Sequence, residues 1–249
     1  MSNTFWTPLR GLTPARIGLA RMGNGVATRA VLEAGAAHAH ARDAVHLPLE
    51  LAPLMAELGG LAAEHGLAEP LHIASAATDR RTYLTRPDLG RRPAAGTRFP
   101  EPPQPADLLI VVADGLSASA VQRHAVPLLR QLLTELPPGL TVGAPVVATQ
   151  ARVALGDHVG AALHARMVLV LIGERPGLSS ADSLGAYLTW QPRPGVADSA
   201  RNCVSNIRPP HGLTYATAAR TLMNLIAGAR EIEATGIRLK DTSGDLSAA

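Results

Sequence analysis

Cysteine is almost missing from this chain: Cys203 stands alone among 249 residues. A lone cysteine closes no internal disulfide and excludes every all-cysteine metal site within the chain, as expected in a reducing compartment. Aromatic residues are scarce at 3%, and Lys240 is the single lysine, arginine supplying the other basic groups. The net charge is only +3 although the sequence pI is about 9.6. Nucleic-acid binders concentrate cations in runs and interleave aromatic rings for stacking. The arginines here are dispersed, so no nucleic acid is expected; they suit carboxylates, phosphates, amides and protein interfaces.

Long apolar runs are missing too. LLIVVA (108–113) and MVLVLIG (167–173) fall far short of the roughly 18 residues that cross a bilayer, so no membrane partner is expected. The start, MSNTFWTPLRGLTPARIG, lacks the cationic head, apolar stretch and small-residue cleavage site of a secretory signal. A cytoplasmic protein is expected. Nucleotide fingerprints are absent as well: ADGLSASA carries one glycine, GNG (23–25) precedes no βαβ unit, and no G-x-x-x-x-G-K-[ST] occurs.

What is present is a composition that is 47% hydrophobic, enough for a sizeable core. PAAGTRFPEPPQP (93–105) has no apolar period and reads as a linker or extended loop. It divides a region 1–105 from a domain 106–249. Before it, residues 28–46 and 49–66 carry apolar residues at three- and four-residue spacing and predict helices. After it, 107–113, 141–149 and 165–173 are unalternating Val/Leu/Ile runs, the pattern of strands covered on both faces. Helices are predicted between them, over 117–136 and 155–164. GAYLTW (185–190) suggests a further strand, and 214–236 a closing helix stopped by Gly236. The expected fold class is therefore α/β: a Rossmann-like parallel sheet flanked by helices in the C-terminal part, preceded by a mainly helical N-terminal region.

Ligands of such sheets gather beyond the carboxyl ends of the strands, where ADGLS (113–117) and GERPGLSSADS (173–183) fall. Ser179 with Asp182 resembles a capping box, so a helix start is predicted after Pro176–Gly177. Glu174 then lies in a loop where a ligand's donors could reach it; the competing role is an ion pair with Arg175 or another arginine. Asp114 reads most simply as a turn or helix-start residue. His38 and His40 suggest metal ligands, yet residues two apart on a helix diverge, so a solvated or interface helix is the simpler reading. Cys203 could be a nucleophile aided by Asn202, Asn206 or a histidine, but free cysteine is most often a small buried hydrophobe. The residues by themselves give a ligand-binding α/β domain without a convincing active site.

Seven segments add up to something more specific: LTPARIGLAR (12–21), AHARDAVH (39–46), YLTRPDLGRR (83–92), VVADGLSASAVQRHA (111–125), ARVALGDHVG (151–160), LIGERPGLSSADSLGAYLTWQPRPG (171–195) and DSARNCVSNIRP (198–209). Together, from about residue 12 to about residue 240, the chain resembles the small subunit of ethanolamine ammonia-lyase. The resemblance implies an adenosylcobalamin-dependent carbon–nitrogen lyase that converts ethanolamine to acetaldehyde and ammonia by a radical mechanism. It also implies a large subunit, a (β/α)8 TIM barrel, that binds ethanolamine and carries the chemistry. The small subunit would close over the cobalamin, be inactive alone, and assemble as a hexamer of such pairs.

Carried over residue by residue, the family's cofactor-binding positions fall on Val153, Glu174 and Cys203; no catalytic residue and no metal ligand is expected in this chain. No D-x-H-x-x-G motif occurs, and GDHVG (156–160) has the wrong spacing, in keeping with base-on cobalamin that retains its own dimethylbenzimidazole. Some relatives carry a longer leader linked to packaging in a bacterial microcompartment, whereas the recognisable core here begins near Leu12, so free cytoplasmic enzyme is the expectation. Two other readings remain: a stand-alone cobalamin carrier or sensor, and a hydrolase using Cys203.

Overall fold

The computed structural model describes residues 5–241. The chain opens with a short helix α1 (Trp6–Arg10), a two-residue hairpin β1 (Arg21–Met22) and β2 (Gly25–Val26), and two long helices, α2 (Thr28–His46) and α3 (Leu51–Glu64). Then come β3 (Leu71–Ala74), α4 (Arg80–Thr85), β4 (Leu108–Ala113), α5 (Ala118–Glu135), β5 (Val146–Thr149), α6 (Leu155–Ala162), β6 (Met167–Gly173), β7 (Leu184–Trp190), β8 (Arg201–Ile207) and α7 (Tyr215–Ile232). Strands β3 to β8 form one sheet in the order β3-β5-β4-β6-β7-β8. The first four are parallel, while β7 and β8 run antiparallel to their neighbours.

The α/β class with a mostly parallel sheet is as expected, and β7 and β8 extend the four parallel strands in antiparallel sense. A parallel neighbour needs a crossover of a dozen or more residues, usually helical. Between β6 and β7 the chain has only residues 174–183, and the register Gly173↔Leu184 closes them into a direct reversal. The capping box expected at Ser179–Asp182 therefore opens no helix. Gly177 and Ser180 instead exchange backbone bonds of 2.7 and 3.2 Å, and the Asp182 carboxylate pairs with Arg123.

β4 and β6 are buried at every position, the consequence of helices on both faces. Full burial of each such aliphatic side chain contributes about 1.5–3 kcal/mol. One face is covered by α3, α5 and α7, whose Leu58, Leu128 and Leu222 belong to the same buried core as Leu108, Ile110 and Val112. The other is covered by α6, whose Leu155 and Val159 meet Val111, Val168 and Val170. α6 is short, so over β7 and β8 that second face is left open: Cys203, Ser205 and Asn206 are exposed and Tyr187 half-buried.

Two strands were not among those expected from the sequence. β3 stands at the sheet edge and comes from the chain preceding Pro93. β8, at the other edge, is polar on its open face. β5 is shorter than expected because Thr141–Pro145 lies beside the start of β4, where Asp107 N and Leu108 N donate to Thr141 O. α7 ends at Ile232 with Glu233 left-handed (φ +51°), so Gly236 is not its stop. No helix of the described residues is long and apolar enough to cross a membrane.

Candidate functional site at the carboxyl edge of the sheet

Three loops converge beyond the carboxyl ends of the parallel strands. Asp114, directly after β4, is 2% exposed; its Oδ2 accepts from Gln150 N (2.8 Å) and its Oδ1 from Ala151 N (2.9 Å). It therefore ties the end of β4 to the loop after β5, and the α5 N-cap is Ser117, whose hydroxyl accepts from Ala120 N. Gly115 has φ +57°, and a Cβ there would sit 2.3 Å from Gly173 O, so this loop presses directly on the end of β6. Leu116 N donates to that same carbonyl at 2.9 Å.

Glu174 is the first residue after β6 and is half-buried. Its Oε1 accepts from the Ser205 hydroxyl, and its Oε2 from the Ser183 hydroxyl and from Asn206 N (3.2 Å). These donors sit at a β-bulge: between Leu184↔Ile207 and Ala186↔Val204, Gly185 of β7 faces both Ser205 and Asn206, the latter at φ +59°. A Cβ on Gly185 would lie 3.0 Å from Glu174 Oε1, so this glycine lets the carboxylate lie against the strand. The ion pair weighed for Glu174 is not among those of the described residues. A carboxylate offers about four lone-pair positions, so with three donors in place Oε1 keeps room for one more.

Val153 lies in the β5–α6 connection and Cys203 in β8. Val153, Glu174, Tyr187 and Ser205 line one open cleft of about 450 Å3, bounded also by Arg152 and Arg175. Cys203 is the Cα partner of Tyr187 across the β7–β8 pair, on the same open face. Although Cys203 is exposed at the edge of the open face, the protein packed around its sulfur desolvates it and pushes the thiol up, the Tyr187 hydroxyl opposing this and Glu174 adding to it. It is therefore a protonated thiol at neutral pH, a poor nucleophile. Asn202, considered as a helper, is engaged elsewhere: it donates to Leu239 O (2.9 Å) and accepts from Gly236 N (2.7 Å).

Several residues that shape the site carry no motif. Arg201 forms a two-pronged pair with Asp157 of α6, Nη1 to Oδ1 and Nη2 to Oδ2 both at 2.6 Å, and donates to Thr189 Oγ1 at 2.9 Å. This pair fastens β8 to α6 across β7. On the opposite face, Asp182 gathers Arg123, His124 (3.6 Å) and Arg208 (3.7 Å), and His124 Nδ1 lies 2.8 Å from the Tyr215 hydroxyl. Both clusters join residues far apart in sequence; the interrupted polar spacing of RNCVSN was the available signal for the first. His38 and His40 lie on α2, and no group of three potential metal ligands occurs among the described residues.

Fold and site together define an open-sheet α/β protein with a ligand cleft at its carboxyl edge and no assembled acid–base or nucleophilic constellation there among the described residues. Comparison with known sequences is specific. The family model of the ethanolamine ammonia-lyase light chain matches residues 3–240, and the chain belongs to that family. It is 53% identical over 243 residues to the ethanolamine ammonia-lyase small subunit of Azotobacter vinelandii, covering 95% of this chain and 88% of that one. The small subunit of Rhodococcus erythropolis is 48% identical over 239 residues, covering 96% and 91%. That of Ralstonia nicotianae is 49% identical over 245 residues, covering 96% and 88%.

Proposed function

We propose that this chain is the small subunit of an adenosylcobalamin-dependent ethanolamine ammonia-lyase, closing over the cofactor against a catalytic barrel supplied by a large subunit. The observation that carries the reading is the open cleft at the carboxyl edge, which brings Val153 and Glu174 to one surface with Cys203 on the strand beside them. Cobalamin is edged with amides, and the cleft suits an edge of such a molecule, since Glu174 Oε1 has capacity for one amide donor. The cleft is open and of a size that holds drug-like ligands, about 300–1,000 Å3, too small to enclose a corrinoid. A second protein surface must cover the rest.

When bound, the cofactor supplies a carbon-centred radical through homolysis of its cobalt–carbon bond. This chain binds and shields. Glu174 would accept from a corrinoid amide while its remaining lone pairs hold the bulge that sets Ser205. Val153 and the half-buried Tyr187 would offer the cofactor packing surface, with Cys203 a neutral thiol beside them. The partner reading is supported by the N-terminal segment, where the large apolar residues Phe5, Trp6, Leu12, Met22, Val31 and Leu32 are all exposed. Base-on cobalamin, a hexamer of large/small pairs and a cytoplasmic setting complete the proposal.

The test mixes the purified chain with a large subunit, adenosylcobalamin and ethanolamine, and follows acetaldehyde with each component omitted in turn. Acetaldehyde only in the complete mixture supports the reading; turnover by this chain alone overturns it, and cobalamin binding without turnover in the mixture favours a carrier. In the reconstituted complex, Glu174→Ala is expected to weaken cobalamin by about 1.5–3 kcal/mol, the worth of a charge-assisted hydrogen bond. Unchanged affinity would leave Glu174 as the clamp of the bulge only.

A further inference from the structure

A cavity of about 480 Å3 lies at the other end of the sheet, beyond the amino ends of β3, β4 and β5. At a rise of about 3.3 Å per residue β4 alone spans about 20 Å, so this cavity is well separated from the cleft of Glu174. Its walls come from three connections: residues 66–71 between α3 and β3, residues 100–106 before β4, and residues 141–144 before β5. Leu109 and Leu163, 1% and 6% exposed, close it on the side of the core. We infer that this cavity binds a small organic cation, an amine carried on an apolar body.

The lining is mostly aliphatic and prolyl, and its charged members are two acids, Glu69 and Glu101, with no Lys, Arg or His among them. Glu69 has no ion-pair or hydrogen-bond partner among the described residues, and its Oε2 lies against α3, where a Cβ on Gly59 would come within 3.3 Å. Glu101 has only the exposed His164, whose Nε2 is 3.6 Å from its Oε1, beyond a hydrogen bond. The volume falls within the range of small-molecule sites, about 300–1,000 Å3, and the pattern of such sites is an apolar lining with a few polar groups that fix orientation. Here the orienting groups are carboxylates, so they select an ammonium. A concave surface lined by one sign of charge also raises the local concentration of an oppositely charged ligand.

The outer wall is a strap in which four of the six residues 100–105 are proline. Proline fixes φ and favours an extended, stiff backbone. No backbone group of residues 98–105 makes a backbone hydrogen bond within the described residues. The strap is tied at its ends instead: Phe99 packs against the core on the α6 face, and Ala106 O accepts from Arg166 N at 2.8 Å. Such a cover stands off the sheet without collapsing into the space beneath, and little conformational freedom is left for a ligand to remove when it binds.

The experiment uses two probes that share one ring system and differ in the sign of their charge, tryptamine and indole-3-propionate. Each is titrated calorimetrically into the full chain, alone and reconstituted with a large subunit. Tryptamine is expected to bind one to one in both settings, about tenfold or more tightly than indole-3-propionate, a preference that salt weakens. Glu69→Gln/Glu101→Gln is expected to erase the preference. Ala144→Trp, which fills the cavity, is expected to abolish binding of both probes; Ala144 is the position to enlarge because a Cβ on Gly143 would already sit 3.1 Å from Leu109 Cδ1. Should the tryptophan variant fail to fold, the glutamine pair, at two exposed positions, still decides. No saturable tryptamine binding at millimolar concentration, equal affinity for the two probes, a preference that survives the glutamine pair, or binding that survives in folded Ala144→Trp overturns the inference. Binding to the free chain that is lost in the complex assigns the cavity to the large subunit and also overturns it. None of these outcomes bears on the cleft of Glu174.

Discussion

Removing Asp157 is expected to unfasten the strand that carries Cys203 and Ser205. The Arg201 and Asp157 side chains are 2% and 1% exposed, and two 2.6 Å bonds join them. Burial works against the Arg201 charge, but Asp157 and, less strongly, Asp198 together outweigh it, and the guanidinium's pKa ends above its ordinary value. Asp157→Ala leaves that cation buried with Thr189 Oγ1 and Val196 O as neutral acceptors at 2.9 Å and Asp198 at 3.5 Å. Breaking one side of a buried pair costs about 3–5 kcal/mol. The exposed Asp198 offsets part of this, which places the expected loss near 3 kcal/mol. Domains of this kind hold only about 5–15 kcal/mol in all. Urea unfolding followed by circular dichroism should show a lower midpoint at unchanged slope. The double variant Asp157→Leu/Arg201→Met, which removes both charges, should be more stable than either single variant. A single Asp157→Ala loss below about 0.5 kcal/mol, or a double variant no better than the worse single one, would refute the reasoning.

Tyr83, fully buried, has its hydroxyl pushed up from 10.0 to about 12, chiefly by burial. The folded state therefore favours the neutral phenol: this contribution is complete below pH 10 and is lost as pH rises from 10 to 12, about 2–3 kcal/mol. In denaturant titrations across that range, Tyr83→Phe should remove its share of the alkaline loss, at a constant cost of about 1 kcal/mol for the bond to Ala151 O. Gly115→Ala should destabilise the chain by more than 1 kcal/mol, since both the left-handed backbone and the approach of Gly173 O oppose a Cβ. A thermal midpoint equal to the parent's would contradict that.

Much of the architecture was legible because it follows from local chemistry. The helix predicted over 28–46 spans those residues, and the Val/Leu/Ile runs at 108–113 and 167–173 became the central strands, since an unalternating run must be covered on both faces. β8 was not legible: one of its faces is open, and RNCVSN reads as polar motif rather than strand. The capping box at Ser179–Asp182 failed for a related reason, because the short return from β6 to β7 leaves no room for the helix it would start.

The sequence by itself determined the fold class, the positions of most helices and central strands, and the family, whose motifs are local words that survive without coordinates. Only the tertiary structure decided that Glu174 clamps the β8 bulge, that Arg201 reaches Asp157, and that Arg42 of α2 shares one cleft with Arg152 and Arg175. Each of these joins residues brought together by strand order and helix placement, and hydrogen bonds and charges act over a few ångströms of space whatever their separation along the chain.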